Sequence, residues 1–189
     1  MRVIGGERKG RRLLVPKGQA VRPTAARVKE SLFNILPHNF SGMKVLDLFA
    51  GTGNLSIEAL SRGAAKAVLV DASARSATTI RENLRRLGLT ARTEVWVAPA
   101  PRALKSLANR GEVFDMIFLD PPYDQGLVEA SLKLLGRGML LGDTGTIVAE
   151  HSTREVVSSR YGSLVLNDQR RYGDTLLSFF KRDMKNPEV

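Results

Sequence analysis

The sequence contains no cysteine and no long apolar run. Because none of the 189 residues is cysteine, disulfides, thiolate-bound zinc, iron–sulfur clusters and catalysis by a thiol are excluded. No apolar stretch approaches the roughly 20 residues that a membrane-spanning helix needs. The first residues lack the apolar core of a signal peptide. We therefore expect a cytoplasmic protein with no membrane partner and no bound metal.

Acidic residues are scarce. Asp and Glu number 19 against 29 Lys and Arg, which gives a net charge of +10 and a pI of about 10.4. Residues 1–40 hold nine basic and two acidic residues, whereas residues 41–150 hold 13 and 12. This excess favours a polyanionic partner such as a nucleic acid, although a merely basic protein is the alternative. We predict a basic docking arm and helix (1–40), a second domain (41–183) and a frayed tail (184–189).

The N-terminal region has the pattern of a small hairpin followed by a helix. Two β-prone runs, residues 2–4 and 12–15, flank a turn rich in glycine and charge, so residues 1–16 are predicted to form a hairpin-like N-terminal arm. Thr24 can cap a helix over about residues 25–36. The apolar residues of this helix recur at helical spacing and are predicted to form one face: Val28, Leu32, Ile35 and Leu36.

From residue 42 onward, apolar strands alternate with amphipathic helices. The predicted strands are 43–49, 67–71, 94–97, 114–119 and 146–150, and the predicted helices are 54–62, 73–87, 101–109 and 126–136. Two further strands, 163–167 and 174–181, are predicted to pair antiparallel. The alternation predicts a doubly wound α/β fold whose parallel sheet is covered on both faces and binds ligands beyond the carboxyl ends of its strands.

A glycine-containing turn follows the first of these strands. Gly51 and Gly53 let the backbone turn sharply and let a ligand approach closely, although a tight turn without a ligand is the alternative. Ser56 occupies the place of the third small residue in a dinucleotide fingerprint, so a dinucleotide fold stays open. Asp47 would repel a pyrophosphate, but it would suit a cationic amino-acid ligand.

An acidic residue ends the second strand. Asp71 lies 18 residues after Gly53, where a carboxylate can accept both ribose hydroxyls of an adenosine. The alternative is a helix-capping or solvated acid. Together with the glycine turn, Asp71 favours nucleoside binding, and both NAD and S-adenosylmethionine satisfy these two features.

The fourth strand ends in Asp120, Pro121, Pro122 and Tyr123. Two prolines fix the backbone and remove two N–H donors, which leaves the carbonyls and the Asp120 carboxylate as rigid acceptors. An aromatic ring follows directly. Acceptors beside a stacking surface suit a planar base that carries an exocyclic amine, whereas the alternative is a proline-stiffened turn with a packed tyrosine.

These motifs resemble those of class I S-adenosylmethionine-dependent methyltransferases. Within that class, Asp-Pro-Pro-Tyr resembles the motif of exocyclic amino methyltransferases acting on adenine N6 or guanine N2. Further blocks resemble the bacterial 16S ribosomal RNA (guanine(966)-N2)-methyltransferase family. They are Arg2-x-Ile4-Gly5-Gly6-x-x-Lys9-Gly10-Arg11, Arg22-Pro23-Thr24, residues 27–34, residues 47–53 and Tyr172-Gly173-Asp174. The resemblance runs from residue 2 to about residue 180.

The resemblance implies a seven-stranded Rossmann-like sheet with an N-terminal hairpin and helix extension. It implies methyl transfer from S-adenosylmethionine to a guanine N2, with S-adenosylhomocysteine as product. The implied catalytic residues are Asp120, Pro121, Pro122 and Tyr123. The implied cofactor-binding residues are Asp47, Phe49, Ala50, Gly51, Gly53 and Asp71.

The resemblance also implies a partner, 16S ribosomal RNA in a partly assembled 30S subunit, and we expect the protein to act as a monomer. The RNA-binding residues expected are Arg2, Arg8, Lys9, Arg11, Arg12, Arg22, Thr24 and Arg27. One departure is visible: the family has an acid shortly after the third strand, whereas this chain has Val97-Ala98-Pro99-Ala100. Any adenine contact there must be apolar or through the backbone.

Three alternatives stay open at the level of sequence. A DNA or RNA adenine-N6 methyltransferase shares the Asp-Pro-Pro-Tyr chemistry. A non-catalytic RNA-binding module could use the same scaffold. An NAD-dependent oxidoreductase shares the glycine turn and Asp71.

Overall fold

The computed structural model describes residues 1–15 and 23–183, without the side chains of residues 23–25. The predicted tail (184–189) therefore lies outside the described residues. The chain divides into two compact units, Met1–Ala98 and Pro99–Val189.

The first unit begins with the hairpin-like arm that the sequence predicts. Arg2 and Arg12 form an antiparallel bridge, and one turn of 3-10 helix, Gly6–Arg8, lies between them. Val3 and Leu13 are buried. The N-terminal arm is therefore packed into the unit through its apolar side chains.

Helix α1 (Pro23–Ile35) follows the arm. Of the four residues predicted to form its apolar face, three are buried: Val28, Leu32 and, directly after the helix, Leu36. The prediction for Ile35 is wrong, because this side chain is 42% exposed while Phe33 is fully buried. Lys29 is also buried, so the buried face is rotated toward Lys29 and Phe33 and leaves Ile35 at its edge.

In the part of the first unit that the structure describes, three parallel strands form the sheet. They are β1 (Lys44–Asp47), β2 (Lys66–Asp71) and β3 (Thr93–Val97), with β2 in the middle. Helix α2 (Asn54–Ser61) connects β1 to β2, and α3 (Ala74–Leu87) connects β2 to β3. Parallel neighbours need such crossovers, which explains why apolar strands and amphipathic helices alternate in the sequence.

Helix α3 has clear signals at both ends. The Ser73 hydroxyl accepts from Ser76 N–H at 3.3 Å, and Gly88 ends the helix in the left-handed conformation (φ 67°) that glycine adopts without strain. The predicted inner face is confirmed as buried: Ala77, Ile80, Leu84 and Leu87.

The described residues of the second unit, up to residue 183, form two helices and five strands. They are α4 (Ala100–Asn109), β4 (Phe114–Leu119), α5 (Leu127–Leu135), β5 (Leu141–Ser152), β6 (Arg160–Tyr161), β7 (Leu164–Tyr172) and β8 (Thr175–Arg182). Strand β4 pairs parallel with β5, and then β8, β7 and β6 add antiparallel in that order. The predicted antiparallel pair near the C-terminus is confirmed.

The predicted α/β class is confirmed by these parallel strands and crossover helices. The described residues contain one strand more than the resemblance implies, because β6 is only two residues long and too short for an alternating pattern. Strand β5 begins earlier than predicted, at Leu141, because glycines at 142 and 145 interrupt its apolar pattern. Within the described part of the chain, no helix is both long enough and apolar enough to cross a membrane.

Candidate functional site

The turn after β1 is held by its own backbone and by the neighbouring strand. Ala50 N–H donates to Val70 O at 2.9 Å, and Gly53 N–H donates to Ala50 O at 2.6 Å. Gly51 and Gly53 both adopt left-handed conformations, with φ of 55° and 78°. These two φ values explain why glycine stands at both positions.

The two glycines face different surroundings. A Cβ on Gly51 would meet no heavy atom of the described residues within 4 Å, whereas a Cβ on Gly53 would press on Leu69 and Ile57 at 3.2 and 3.3 Å. Gly51 therefore offers backbone to open space, as close approach of a ligand requires. Gly53 instead allows the loop to pack closely on β2 and α2.

Asp71, at the end of β2, holds this loop. Its Oδ2 accepts from Gly51 N–H at 2.8 Å and its Oδ1 accepts from Ser73 N–H at 2.8 Å. A carboxylate has about four acceptor positions, so each oxygen can still accept another hydrogen bond. The structure thus brings together two predicted cofactor residues, and Asp71 can bind a diol next to Gly51.

Asp47, the last residue of β1, is buried. Its Oδ2 accepts from the Ser56 hydroxyl and N–H at 3.1 and 3.3 Å, while no group of the described residues donates to its Oδ1. Burial raises the pKa of Asp47 to about 7, and the negative charge of Asp71 adds to this, against the hydrogen bonds from Ser56. A buried carboxylate with an unused oxygen fits a cationic group better than a phosphate.

The other predicted cofactor positions lie around this loop. Phe49 is half-buried and Ala50 is buried. At the end of β3, Ala98 N–H donates to Asp71 O at 3.1 Å, and the Val97 side chain is 48% exposed. Pro99, near the position where the resemblance predicts an acid, offers no side-chain acceptor and stands at the N-cap of α4. The surface at the end of β3 is therefore apolar.

In the second unit, the Asp-Pro-Pro-Tyr motif directly follows β4. Asp120 and Pro122 are exposed, Pro121 is buried and Tyr123 is half-buried. The exposed carboxylate and the fixed proline backbone fit the rigid acceptor arrangement expected from the sequence.

Two residues that the sequence analysis missed hold the ring of Tyr123. The Tyr123 hydroxyl donates to Glu150 Oε1 at 2.5 Å and lies 3.2 Å from Thr175 Oγ1. Burial and the Glu150 carboxylate raise the pKa of Tyr123, so the hydroxyl stays a donor. Glu150 stands in the apolar strand β5, and an acid at such a position is the signal that could have identified it.

A further contact lies just after the motif. Asp124 has a left-handed backbone (φ 61°), and its carboxylate forms an ion pair with Arg154, which follows β5. Arg154 Nε also donates to the Ser152 hydroxyl at 3.4 Å. The segment after Tyr123 is thereby tied to the end of β5.

The predicted RNA-binding residues are placed as follows. Arg2, Lys9, Arg11 and Arg12 are exposed on the N-terminal arm, and Arg27 is exposed on α1. Arg8 is half-buried, and its Nε donates to Leu87 O at the end of α3 at 2.8 Å. Arg22 lies outside the described residues, as does the side chain of Thr24.

Lys29, a basic residue of α1, is buried. The Lys29 ammonium lies 2.9 Å from the fully buried carboxylate of Glu58, which also accepts from Arg62 Nε at 3.0 Å. The same carboxylate accepts from the N–H groups of Ile4 and Gly5 at 2.9 and 2.7 Å. Burial lowers the pKa of Lys29, against the attraction of Glu58. These contacts hold the N-terminal arm against the rest of the first unit. The charge of Lys29 is therefore paired inside the protein and does not add to the exposed basic surface.

Comparisons with known proteins agree with this arrangement. A family model described as "Conserved hypothetical protein 95" matches residues 1–181. The chain is 42% identical to "Putative rRNA methyltransferase YlbH" of Bacillus subtilis, over 96% of this chain and 99% of that protein. It is 32% identical to "Ribosomal RNA small subunit methyltransferase D" of Escherichia coli strain K12, over 97% of this chain and 90% of that protein.

A solved structure extends the similarity to the fold. The structure titled "Putative methyltransferase yhhF from Escherichia coli" matches with a TM-score of 0.82 and 33% identity, over 97% of this chain and 98% of that chain. The fold and the strand-end residues thus define a Rossmann-like protein of the class I methyltransferase type. Because the family model spans nearly the whole chain, the chain belongs to the conserved hypothetical protein 95 family. Its similarity to a small-subunit ribosomal RNA methyltransferase supports the resemblance of its motifs to the bacterial 16S ribosomal RNA (guanine(966)-N2)-methyltransferases.

Proposed function

We propose that the protein transfers a methyl group from S-adenosylmethionine to the exocyclic N2 of a guanine in 16S ribosomal RNA. The observation that carries the proposal is the Asp-Pro-Pro-Tyr motif at the end of β4, with the Tyr123 hydroxyl held by Glu150 at 2.5 Å. A relative named as a small-subunit ribosomal RNA methyltransferase, 32% identical over nearly the whole chain, supports the choice of RNA.

The residues of the first unit fit S-adenosylmethionine. When bound, this cofactor supplies a methyl group on a sulfonium, which is a good leaving group. Asp71 would accept the ribose hydroxyls, and Gly51 would let the ligand approach the backbone. Asp47, with its unused Oδ1, would stabilise the ammonium of the methionine part. Phe49, Ala50 and the exposed Val97 would supply apolar contacts, the last of these where the family has an acid.

The residues of the second unit fit the base. The lone pair of a guanine N2 is delocalised into the ring, so the nitrogen becomes nucleophilic only when its N–H bonds are held and oriented. The Asp120 carboxylate and the Pro121 carbonyl would accept hydrogen bonds from these two N–H groups. The same acceptors would stabilise the positive charge that develops on the nitrogen. Tyr123 would stack on the base. An amine needs no covalent enzyme adduct, which agrees with a chain that has no cysteine.

The arm and helix within residues 1–40 would bind RNA phosphates. Arg2, Lys9, Arg11 and Arg12 are exposed for this purpose, and Arg27 adds a charge on α1. Arg8, Arg22 and Thr24 remain predicted contacts. The proposed substrate is 16S RNA in a partly assembled 30S subunit, and the proposed active form is a monomer in the cytoplasm.

Methyl transfer from labelled S-adenosylmethionine tests the proposal. The wild-type protein and the variant Asp120→Ala are incubated with 16S RNA, with 30S subunits and with DNA. We expect label in ribosomal RNA with the wild type and a loss of at least a hundredfold with Asp120→Ala, while S-adenosylhomocysteine binding is retained. Asp115→Ala, on the exposed side of β4, is the matched control. Label in DNA alone would favour the adenine-N6 alternative, and full turnover by Asp120→Ala would exclude its proposed role.

A further inference from the structure

The side chain of Asn83 on α3 joins the N-terminal arm to the glycine loop. Asn83 is 1% exposed, and its Oδ1 accepts from Leu14 N–H at 2.7 Å. Its Nδ2 donates to Leu14 O at 3.1 Å and to Thr52 O at 3.0 Å. One buried amide therefore bonds the arm through two hydrogen bonds and the loop through a third.

The loop end of this contact lies within the proposed cofactor site. Thr52 stands between Gly51, which Asp71 holds, and Gly53. The Thr52 hydroxyl also donates to the sulfur of Met1 at 3.3 Å, so the arm contacts the loop a second time. The conformation of this loop is thus fixed on one side by Asp71 and on the other by Asn83 and the arm.

Buried Lys29 also connects the N-terminal arm to the segment after the glycine loop, at the start of α2. Lys29 Nζ donates to Arg2 O at 3.0 Å and to Asn54 Oδ1 at 2.6 Å, and Asn54 is the first helical residue after the loop. Breaking such buried polar contacts is costly, because each group left without a partner pays its desolvation. The arm and the loop should therefore order together.

We propose that Asn83 is a positioning residue that couples the arm to the glycine loop, so that cofactor binding and RNA docking strengthen each other. The inference rests on the proposed function, because it takes the loop as the cofactor site and the arm as the RNA site. A ligand that orders the loop lowers the cost of ordering the arm, and by linkage RNA on the arm tightens cofactor binding by the same factor.

Amide hydrogen exchange with S-adenosylhomocysteine tests the coupling without RNA and without turnover. In the wild type, saturating S-adenosylhomocysteine should slow exchange of the Leu14, Ile4 and Gly5 amides about fivefold, the lower end of typical coupling. In Asn83→Ala, the affinity for S-adenosylhomocysteine should fall about fivefold, and the Ile4 and Gly5 amides, which Glu58 holds, should no longer respond.

Thr79→Ala is the matched control, because Thr79 lies one turn earlier on α3 and its hydroxyl bonds only Arg75 O among the described partners, at 3.2 Å. It should behave as wild type. Wild-type protein that binds S-adenosylhomocysteine without any change in arm exchange would overturn the coupling and leave the proposed function standing, even if Asn83→Ala does not fold. Wild-type protein that does not bind S-adenosylhomocysteine would overturn both.

Discussion

The hydroxyl of Tyr123 donates to Glu150 Oε1 at 2.5 Å, so an acid in strand β5 fixes an aromatic ring in the loop after β4. The hydrogen bond holds the hydroxyl end of the ring in place, and Thr175 Oγ1 lies 3.2 Å from the same oxygen. A ring held in one orientation is a better stacking surface for a base than a mobile one, because less side-chain entropy is lost on binding.

Removing this anchor should therefore lower catalysis and spare cofactor binding. For Glu150→Ala we expect kcat/KM for RNA to fall on the order of tenfold, or about 1.4 kcal/mol of transition-state stabilisation. Tyr123→Phe, which keeps the ring and loses the hydroxyl, should show a similar loss. Steady-state kinetics measure both. Glu129→Ala, which breaks an exposed pair with Lys133, is the control, and an equal loss there would remove Glu150 from the site.

The buried carboxyl of Asp47 should make stability depend on pH. Its pKa is about 7 in the folded protein against 3.8 ordinarily, so between these values the folded chain holds a proton that the unfolded chain has released. This group therefore favours the folded state at low pH, and its contribution is lost as the pH rises through 7. Relative to Asp47→Asn, the wild type should lose on the order of 2–4 kcal/mol of unfolding free energy between pH 4 and pH 8.

Urea unfolding of both proteins across this pH range measures the effect. The substitution itself changes the unfolding free energy by a constant amount. Comparing how this free energy varies with pH in the two proteins removes that constant. A cation near Asp47 favours the ionised carboxylate, so wild-type affinity for S-adenosylhomocysteine should also rise with pH through 7. If the difference between wild type and Asp47→Asn is the same at every pH, the carboxyl is already ionised when buried.

Asp71→Ala should weaken the cofactor site on two counts. It removes the proposed acceptor for two ribose hydroxyls, and it releases Gly51 N–H from its 2.8 Å hydrogen bond. Hydrogen bonds to a charged group contribute about 1.5–3 kcal/mol, so the Kd for S-adenosylhomocysteine should rise roughly 10- to 100-fold by calorimetry. RNA affinity in the absence of cofactor should change little. Asp143→Ala, exposed on β5, is the control, and an unchanged Kd for Asp71→Ala would contradict the ribose assignment.

The arm should contribute to RNA binding through its charges. Replacing Arg11 and Arg12 together by Gln should lower the slope of log K against log salt by about 1.4–1.8, since each lost phosphate contact removes about 0.7–0.9. Fluorescence anisotropy with 16S RNA measures this slope, at salt concentrations from about 50 to about 200 mM. The pair Arg102→Gln and Lys105→Gln on α4 is the control with equal charge loss. An unchanged slope for the arm variant would remove these residues from the interface.

Much of the fold follows from local patterns. Strand β4 has the predicted bounds because its six residues contain an apolar run and two prolines follow shortly after it, at 121 and 122. Helix α3 is predicted well because its core face, its N-cap Ser73 and its C-cap Gly88 are all local signals. The loop between β1 and α2 was also recognisable, since Gly51 and Gly53 need φ values that favour glycine.

What the sequence does not reveal is pairing across long separations. The sequence counts Lys29 among the basic residues of the N-terminal region, and only the structure shows that it is buried beside Glu58, 29 positions later. Glu150 stands out as an acid in an apolar strand, but its pairing with Tyr123 cannot be anticipated. Glu150 and Thr175 lie on strands β5 and β8, which become neighbours only through the antiparallel return of the chain.

The product of the reaction tests the central claim most directly. The wild-type protein is incubated with 16S RNA and 30S subunits from cells that lack the corresponding gene, using S-adenosylmethionine with a deuterated methyl group. Nuclease digestion and mass spectrometry then identify the labelled nucleoside. The proposal predicts deuterated N2-methylguanosine at one position of 16S RNA. N6-methyladenosine, or no labelled nucleoside from a protein that binds S-adenosylhomocysteine, would contradict it.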